Sequence, residues 1–195
     1  MKKLFLVTAV ITSITSSAFA KTAGNQLGVD ILYASAKHKY NPSGGYGKFD
    51  DSNVGFGANY KYAISLGDNI FIAPGVFAEK LGTEAKDDDR DPTTLNYRYG
   101  AKLDVGYDIT DKFAVYATVG AASINYKVDW KSIGRKTTGN EFSPTYGLGF
   151  SYNIQKNLAL NFEYNYQQAD LKTPGNLAKN KTELSVAKIG VAYRF

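Results

Sequence analysis

Apolar and polar residues alternate over most of this chain, with a period of two. In the last stretch, Glu183 to Phe195, Ala187, Ile189, Val191, Tyr193 and Phe195 share one face, and Lys188, Gly190, Ala192 and Arg194 share the other. The same rhythm recurs upstream. Leu27 to Lys37 sets Leu27, Val29, Ile31 and Tyr33 against Gly28, Asp30 and Ala34, and Asn53 to Ser65 sets Val54, Phe56, Ala58, Tyr60, Tyr62 and Ile64 against glycine, asparagine and Lys61. Asn69 to Leu81 is apolar on both faces, and its Pro74 marks a local break in pairing. Leu95 to Ile109 aligns Leu95, Tyr97, Tyr99, Ala101, Leu103, Val105 and Tyr107. Phe113 to Val128 starts with Phe113, Val115, Ala117 and Val119 on one face and continues with Ile124, Tyr126 and Val128 on the other, which predicts a bulge near Ala121 to Ser123. Phe142 to Asn153 and Asn157 to Gln168 complete eight strands.

The connections between these segments alternate in length. Short ones fall at Leu66-Gly67-Asp68, Thr110-Asp111-Lys112 and Gln155-Lys156; long ones run over about residues 40–52, 82–94, 129–141 and 169–182. A final strand with one apolar face is an aggregation hazard unless its edge is closed, and pairing it with the first strand closes it. Lipid can then cover the apolar face. Tight turns on one side and longer connections on the other are the linker rhythm of an outer-membrane barrel, with the termini in the periplasm. The aromatics agree: Tyr60, Tyr62, Tyr107, Phe113, Tyr152, Tyr193 and Phe195 fall near one rim, and Tyr33, Tyr97, Tyr99, Phe142, Tyr164 and Tyr166 near the other. The fold class expected is an all-β, eight-stranded, antiparallel, up-and-down transmembrane β-barrel.

Export fits this reading. Lys2 and Lys3, the apolar stretch Leu4 to Ile14 and the small-x-small run Ala18-Phe19-Ala20 form a signal peptide cleaved after Ala20, leaving residues 21–195 as one barrel domain. After that segment no apolar run approaches the roughly twenty residues of a membrane helix. Loss of Lys2 and Lys3 lowers the formal charge from +5 to +3, which argues for no nucleic-acid partner. Cysteine is absent, so disulfides and thiolate metal centres are excluded, and no cofactor is expected.

Candidate chemistry divides between the inside and the far end. Asp30, Lys61, Arg98, Lys102, Asp104, Glu163, Lys188 and Arg194 point inward. Charges of both signs in so narrow a lumen form either a paired network that plugs the barrel or a narrow ion path. His38, the one histidine, stands at the far rim before Ser43, Asp50 and Asp51 and reads as a solvated histidine at a loop base, the alternative being the catalytic group of a lipid-modifying enzyme. The run Asp87-Asp88-Asp89-Arg90-Asp91 lacks the ligand spacing of a calcium loop and reads as a solvated acidic loop. The third long connection and its flanks hold Trp130, Lys131, Arg135 and Lys136 with Lys127, and the fourth holds Lys172, Lys179 and Lys181. Cations beside a lone tryptophan suit an anionic lipid, a glycan or an acidic protein. Trp130, Lys131, Arg135 and Lys136 are therefore the candidate ligand-binding patch.

The segments N-V-G-F-G-A-N-Y-K-Y, F-I-A-P-G-V-F-A, Y-G-A-K-L-D-V-G-Y-D-I, Y-G-L-G-F-S-Y-N-I and G-V-A-Y-R-F resemble those of the opacity-type, OmpA/OmpX-like small outer-membrane barrels of Gram-negative bacteria. The resemblance covers essentially all of residues 21–195. It implies a surface protein of structural or adhesin type, non-enzymatic, whose four external loops meet host-surface, extracellular-matrix or environmental partners, with lipopolysaccharide around the barrel. It implies that Ile189, Val191, Tyr193 and Phe195 form the signal read by the barrel assembly machinery. With Phe195 as the last residue, the cell-wall-binding domain of longer OmpA proteins is not expected. A barrel closed by one chain implies a monomer.

Overall fold

The computed structural model describes residues 22–40, 47–67, 69–87, 90–130, 135–172 and 179–195; the expected signal peptide lies outside them. Eight strands follow in chain order: β1 Gly24–Tyr40, β2 Gly47–Gly67, β3 Ile70–Asp87, β4 Arg90–Asp108, β5 Phe113–Trp130, β6 Arg135–Gln155, β7 Leu158–Lys172 and β8 Lys179–Arg194. Each pairs antiparallel with the next, and β8 returns to β1 with Val191 opposite Val29 and Ile189 opposite Ile31, closing the barrel. No described helix is long and apolar enough to cross a membrane. The last strand's edge is thus buried in pairing, as its apolar face demands.

Turn chemistry sits where short connections were expected. Gly67 and Asn69 take positive φ (93° and 71°) between β2 and β3. The Thr110 hydroxyl accepts hydrogen bonds from the amides of Lys112 (3.2 Å) and Phe113 (3.0 Å) between β4 and β5. Between β6 and β7 only Lys156 and Asn157 form the turn. Pro74 keeps its place opposite Leu103 in β4, while the β2–β3 ladder has no paired residue between Lys61–Gly75 and Ile64–Ile72. A residue without an N–H interrupts the ladder on one side only.

At the opposite end the structure departs from the sequence pattern. The long connections are mostly strand: β1 and β2 stay paired up to Tyr40–Gly47, β3 and β4 to Asp87–Arg90, β5 and β6 to Trp130–Arg135, and β7 and β8 to Lys172–Lys179. The alternation survives in these extensions, but its sense is reversed. Between the aromatic belts, large residues such as Val29, Ile31, Phe56, Val119 and Leu148 face outward. Farther out the interior becomes apolar, with Leu32, Ala34 and Ala36 of β1, Leu81 of β3, Leu95 of β4, Ile124 and Tyr126 of β5, Ala169 of β7, and Leu184 and Val186 of β8 in one buried cluster. Outside them stand Lys37, Asp170 and Lys181, all exposed. Lipid rewards apolar residues on the outer wall, whereas water on that wall sends them back inside.

This reversal corrects two expectations. Ile124 and Tyr126 change face relative to Val119 without any bulge in β5: the β5–β6 register is unbroken from Phe113–Tyr152 to Trp130–Arg135. They remain on the lumen side, where the interior has turned apolar. Leu95 does not share the lipid face of Tyr97; the β4–β5 register shifts between them, and Leu95 is fully buried in the outer cluster. One skipped residue, Asn96, turns every residue beyond it to the other face.

Pairing above the belts is also incomplete. The β2–β3 ladder ends at Phe56–Lys80 and the β6–β7 ladder at Thr145–Gln167, although all four strands run on. The outer end is therefore two four-stranded walls, β7-β8-β1-β2 and β3-β4-β5-β6. The apolar cluster lies between them, as the core of a β-sandwich lies between its sheets.

Candidate functional site: a sealed lumen and an outer end of paired hairpins

Between the belts the interior is a chain of charges in alternating sign. Lys61 of β2 reaches Asp104 of β4 at 3.1 Å; Asp104 lies 3.6 Å from Lys102; Lys102 reaches Glu163 of β7 at 2.5 Å. Lys188 of β8 bridges Glu163 (2.8 Å) and Glu79 of β3 (2.9 Å), and Glu79 accepts a hydrogen bond from Arg98 Nε at 2.7 Å, with Nη2 in ion-pair contact at the same distance. Polar neighbours add further hydrogen bonds, although Arg98 Nη2 makes none. The Thr118 hydroxyl donates to Asp104 (2.6 Å), the Asn165 amide (2.7 Å) and Tyr116 hydroxyl (3.2 Å) donate to Glu163, Arg98 donates to Gln167 (3.4 Å), and the Asn59 amide donates to Asp30 (2.7 Å). Rings add to this, with Lys61 over Tyr116 at 4.6 Å and Arg98 over Phe77 at 5.1 Å.

Asp30, Glu79, Asp104 and Glu163 balance Lys61, Arg98, Lys102 and Lys188, so buried charge is compensated as its desolvation requires. The space left among Asp30, Asn59, Lys61, Lys102, Tyr116, Asn161, Glu163 and Lys188 is about 10 Å³, room for one water molecule. Toward the periplasm Ala63, Phe71, Ala73, Ala114 and Tyr116 pack as a second apolar cluster. The described lumen is thus closed below by that cluster, filled in the middle by ion pairs, and closed above by the sandwich core. Of the two readings left open by the charges, the geometry is that of the plug.

Glycines make the plug possible. A Cβ on Gly106 would stand 2.2 Å from the Phe71 ring, and one on Gly149 would stand 2.4 Å from the Tyr116 ring; each glycine is the cross-strand partner of that aromatic. The rings lie against bare backbone, which lets large residues share a narrow lumen.

The expected inward residues Asp30, Lys61, Arg98, Lys102, Asp104, Glu163 and Lys188 all converge on this network. Arg194 does not: it sits half-buried at the periplasmic rim, donating to Asn153 at 3.1 Å. Glu79, which joins two of the cations, lies in the segment whose two apolar faces hid its inward direction; its spacing of two from Phe77 is the signal that marks it. Ile189, Val191, Tyr193 and Phe195 all face outward, with the Tyr193 and Phe195 rings stacked at 6.4 Å. The patch residues end the β5–β6 hairpin: Trp130 is the cross-strand partner of Arg135, and Asp129 that of Lys136, whose side chain is exposed. Lys131 lies outside the described residues. His38 is paired in β1 with Phe49 and Thr182, while Ser43 lies outside the described residues. Among the described residues no group of histidine and carboxylates is placed to hold a metal.

A closed antiparallel barrel with an apolar outer band, two aromatic belts and a compensated interior is an integral membrane β-barrel. The chain belongs to the outer membrane protein beta-barrel domain family, whose model matches residues 6–195, and its place is the cell outer membrane. It is 23% identical over 197 residues to the attachment invasion locus protein of Yersinia pseudotuberculosis serotype I (strain IP32953), covering 100% of this chain and 98% of that one. Among solved structures it is similar to Ail, the attachment invasion locus protein of Yersinia pestis, at 18% identity, with a TM-score of 0.55, over 89% of this chain and 100% of that one. A second structure of that protein, in complex with the heparin analogue sucrose octasulfate, matches at 19% identity and a TM-score of 0.55, over 88% and 99%.

Proposed function

We propose that this protein is a non-catalytic surface adhesin that holds the β5–β6 hairpin end, with Trp130, Lys131, Arg135 and Lys136, toward an acidic or polyanionic partner on a host surface or in extracellular matrix. The observation that carries it is the outer end itself. Eight strands continue past the outer belt around a packed apolar core, so the hairpin tips stand on a firm support well clear of lipid. From Phe142 to Arg135 β6 rises roughly 15–20 Å at ~3.4 Å per residue and a tilt of ~40°. The likeness to the attachment invasion locus proteins, one of them solved with a sulfated heparin analogue, supports this reading.

The test is adhesion. Bacteria displaying the protein bind cultured epithelial cells, and W130A/K131A/R135A/K136A lowers the bound count at least fivefold at equal surface display. Unchanged binding overturns the proposal. In the same reading lipopolysaccharide packs against the outer wall, the assembly machinery reads Ile189, Val191, Tyr193 and Phe195, and the barrel works as a monomer. His38→Ala leaves lipid A unchanged in cells expressing the protein; an altered lipid A that this substitution abolishes would make the protein an enzyme.

A further inference from the structure

The pairing of β8 with β1 is the one that no connection spans. In each of the other seven pairings the two strands are consecutive in the chain, so the segment between them limits how far one slides past the other. β1 and β8 are the first and last strands, and side chains must set the register in which they meet. That register fixes the stagger of the whole barrel, and with it the span of every contact across the lumen.

The outer wall does not set it. A slip of one residue would turn the apolar face of β8 inward, which lipid forbids. A slip of two keeps every side chain on its own face. It brings Val29 opposite Ile189 or Tyr193 in place of Val191, and Ile31 opposite Ala187 or Val191 in place of Ile189, apolar pairs that lipid accepts equally. The backbone ladder re-forms as well.

The inner wall does tell these registers apart. Gly190 stands opposite Asp30, whose carboxylate lies over it, and a Cβ on Gly190 would overlap the Asp30 Oδ1. The other carboxylate oxygen accepts from the Asn59 amide at 2.7 Å, so the group has a fixed place. Sliding β8 one way brings Ala192, with its Cβ, under Asp30; sliding it the other way brings Lys188 there. Either slip carries β8 roughly 7 Å along its neighbour at ~3.4 Å per residue. Lys188 now sits between Glu163 of β7 at 2.8 Å and Glu79 of β3 at 2.9 Å. The Glu163 contact travels with the β7–β8 hairpin, in which the two residues are direct partners, but the Glu79 contact crosses the lumen and is lost.

We infer that Gly190 beneath Asp30 and Lys188 across from Glu79 fix the register in which the last strand closes on the first, and that both devices fail toward one neighbouring register, with Lys188 opposite Asp30. A side chain at position 190 escapes the carboxylate there, facing Gly28 instead. Lys188 without Glu79 gains a new anion there, because of Asp30, Glu79, Asp104 and Glu163 only Asp30 makes no ion pair among the described residues. The buried charges thus specify one closure among several that lipid would accept, a registry role that buried ion pairs fill better than that of raising stability. Nothing in this depends on what the outer end binds.

The chain has no cysteine, so introduced pairs report the register in lipid vesicles under a membrane-permeant oxidant. V29C/V191C reads the native register, V29C/I189C the one with Lys188 opposite Asp30, and V29C/Y193C the opposite slip. A shift of two preserves the hydrogen-bonding type of a cross-strand pair, so the three pairs have equal geometry in their own registers. In the otherwise native protein only V29C/V191C cross-links. G190A and E79Q each raise V29C/I189C cross-linking about tenfold, the effect of breaking a preference for one register. Adding D30A to G190A, or D30N to E79Q, returns cross-linking to V29C/V191C. Native cross-linking alone in both G190A and E79Q, scored on barrels with folded heat-modifiable mobility, overturns the inference. Equal gains at I189C and Y193C also overturn it, because they mean a loosened seam with no preferred register. Should G190A lack the folded mobility, D30A restores it; a G190A barrel that stays unfolded with D30A overturns the role of that pair.

Discussion

Glu79 shows how much one inward residue can carry. Its two oxygens are shared by Arg98 at 2.7 Å and Lys188 at 2.9 Å, and the carboxylate is 1% exposed. Glu79→Ala would leave two cations in the lumen without their nearest anion, and breaking a buried pair from one side costs about 3–5 kcal/mol. Urea unfolding in lipid vesicles measures that loss, and a change under 1 kcal/mol would mean that the network compensates elsewhere. Gly149 is the counterpart at a residue without a side chain. Its hydrogen faces the Tyr116 ring, so Gly149→Val forces that ring from its place beside Glu163 and lowers stability by about 1–3 kcal/mol, the cost of overpacking. Gly67→Ala, at an exposed turn with open space around it, serves as the contrast: only its φ of 93° resists the substitution.

At the scale of the strand, the informative feature is where pairing stops. Pro144 ends the β6–β7 ladder because its side of the backbone has no donor, and β6 continues as an edge for ten residues. Pro144→Val restores the donor. The β6–β7 ladder then extends upward from Thr145–Gln167, which hydrogen exchange detects as new protection at Phe142 and at Gln168; unchanged exchange at both would assign the seam to the packing of the two walls instead. The expected bulge in β5 belongs at this scale too. A run that changes phase can mean an extra residue, or it can mean that the medium on each side has changed. In β5 the medium changes, and in β4, at Asn96, the backbone does. The residues alone do not distinguish these cases: in β5 the apolar positions pass from odd to even on an unbroken backbone, whereas in β4 Leu95 stays odd with Tyr97 because the skipped residue offsets the change of medium.

For the whole molecule the question is whether anything passes through. Among the described residues ion pairs fill the middle, with a cavity of about 10 Å³ between them, and apolar clusters lie at both ends. Planar bilayers containing the protein therefore stay silent across voltages; unitary currents that shift when Arg98 or Lys102 is neutralised would reverse this. The molecule works instead as a post set in the membrane. Its two aromatic belts were legible in advance: Tyr33, Tyr97, Tyr99, Phe142 and Tyr164 ring one end and Tyr107, Tyr152, Tyr193 and Phe195 the other, every one of them exposed. So were the strand count, the up-and-down order and seven of the network's charges, because a period of two assigns faces and a bilayer demands a continuous apolar band.

What the residues could not reveal is which atoms meet. Lys188 and Glu79 are 109 positions apart, and only closure of the barrel brings them to 2.9 Å. Glu79 escaped notice because its strand is apolar on both faces, and the packing of Phe71 and Phe77 inward is a tertiary fact. The four long connections read as loops, since lysine, aspartate and asparagine are common to loops and to the wet face of a strand; the apolar core behind them is assembled from six strands, with one to three residues from each. Sequence alone thus determined the barrel, its faces and its membrane, all of which follow from local alternation against a uniform solvent. Tertiary structure decided the sealed lumen, the two-walled outer end and the open edge of β6, because each depends on contacts between strands remote in the chain.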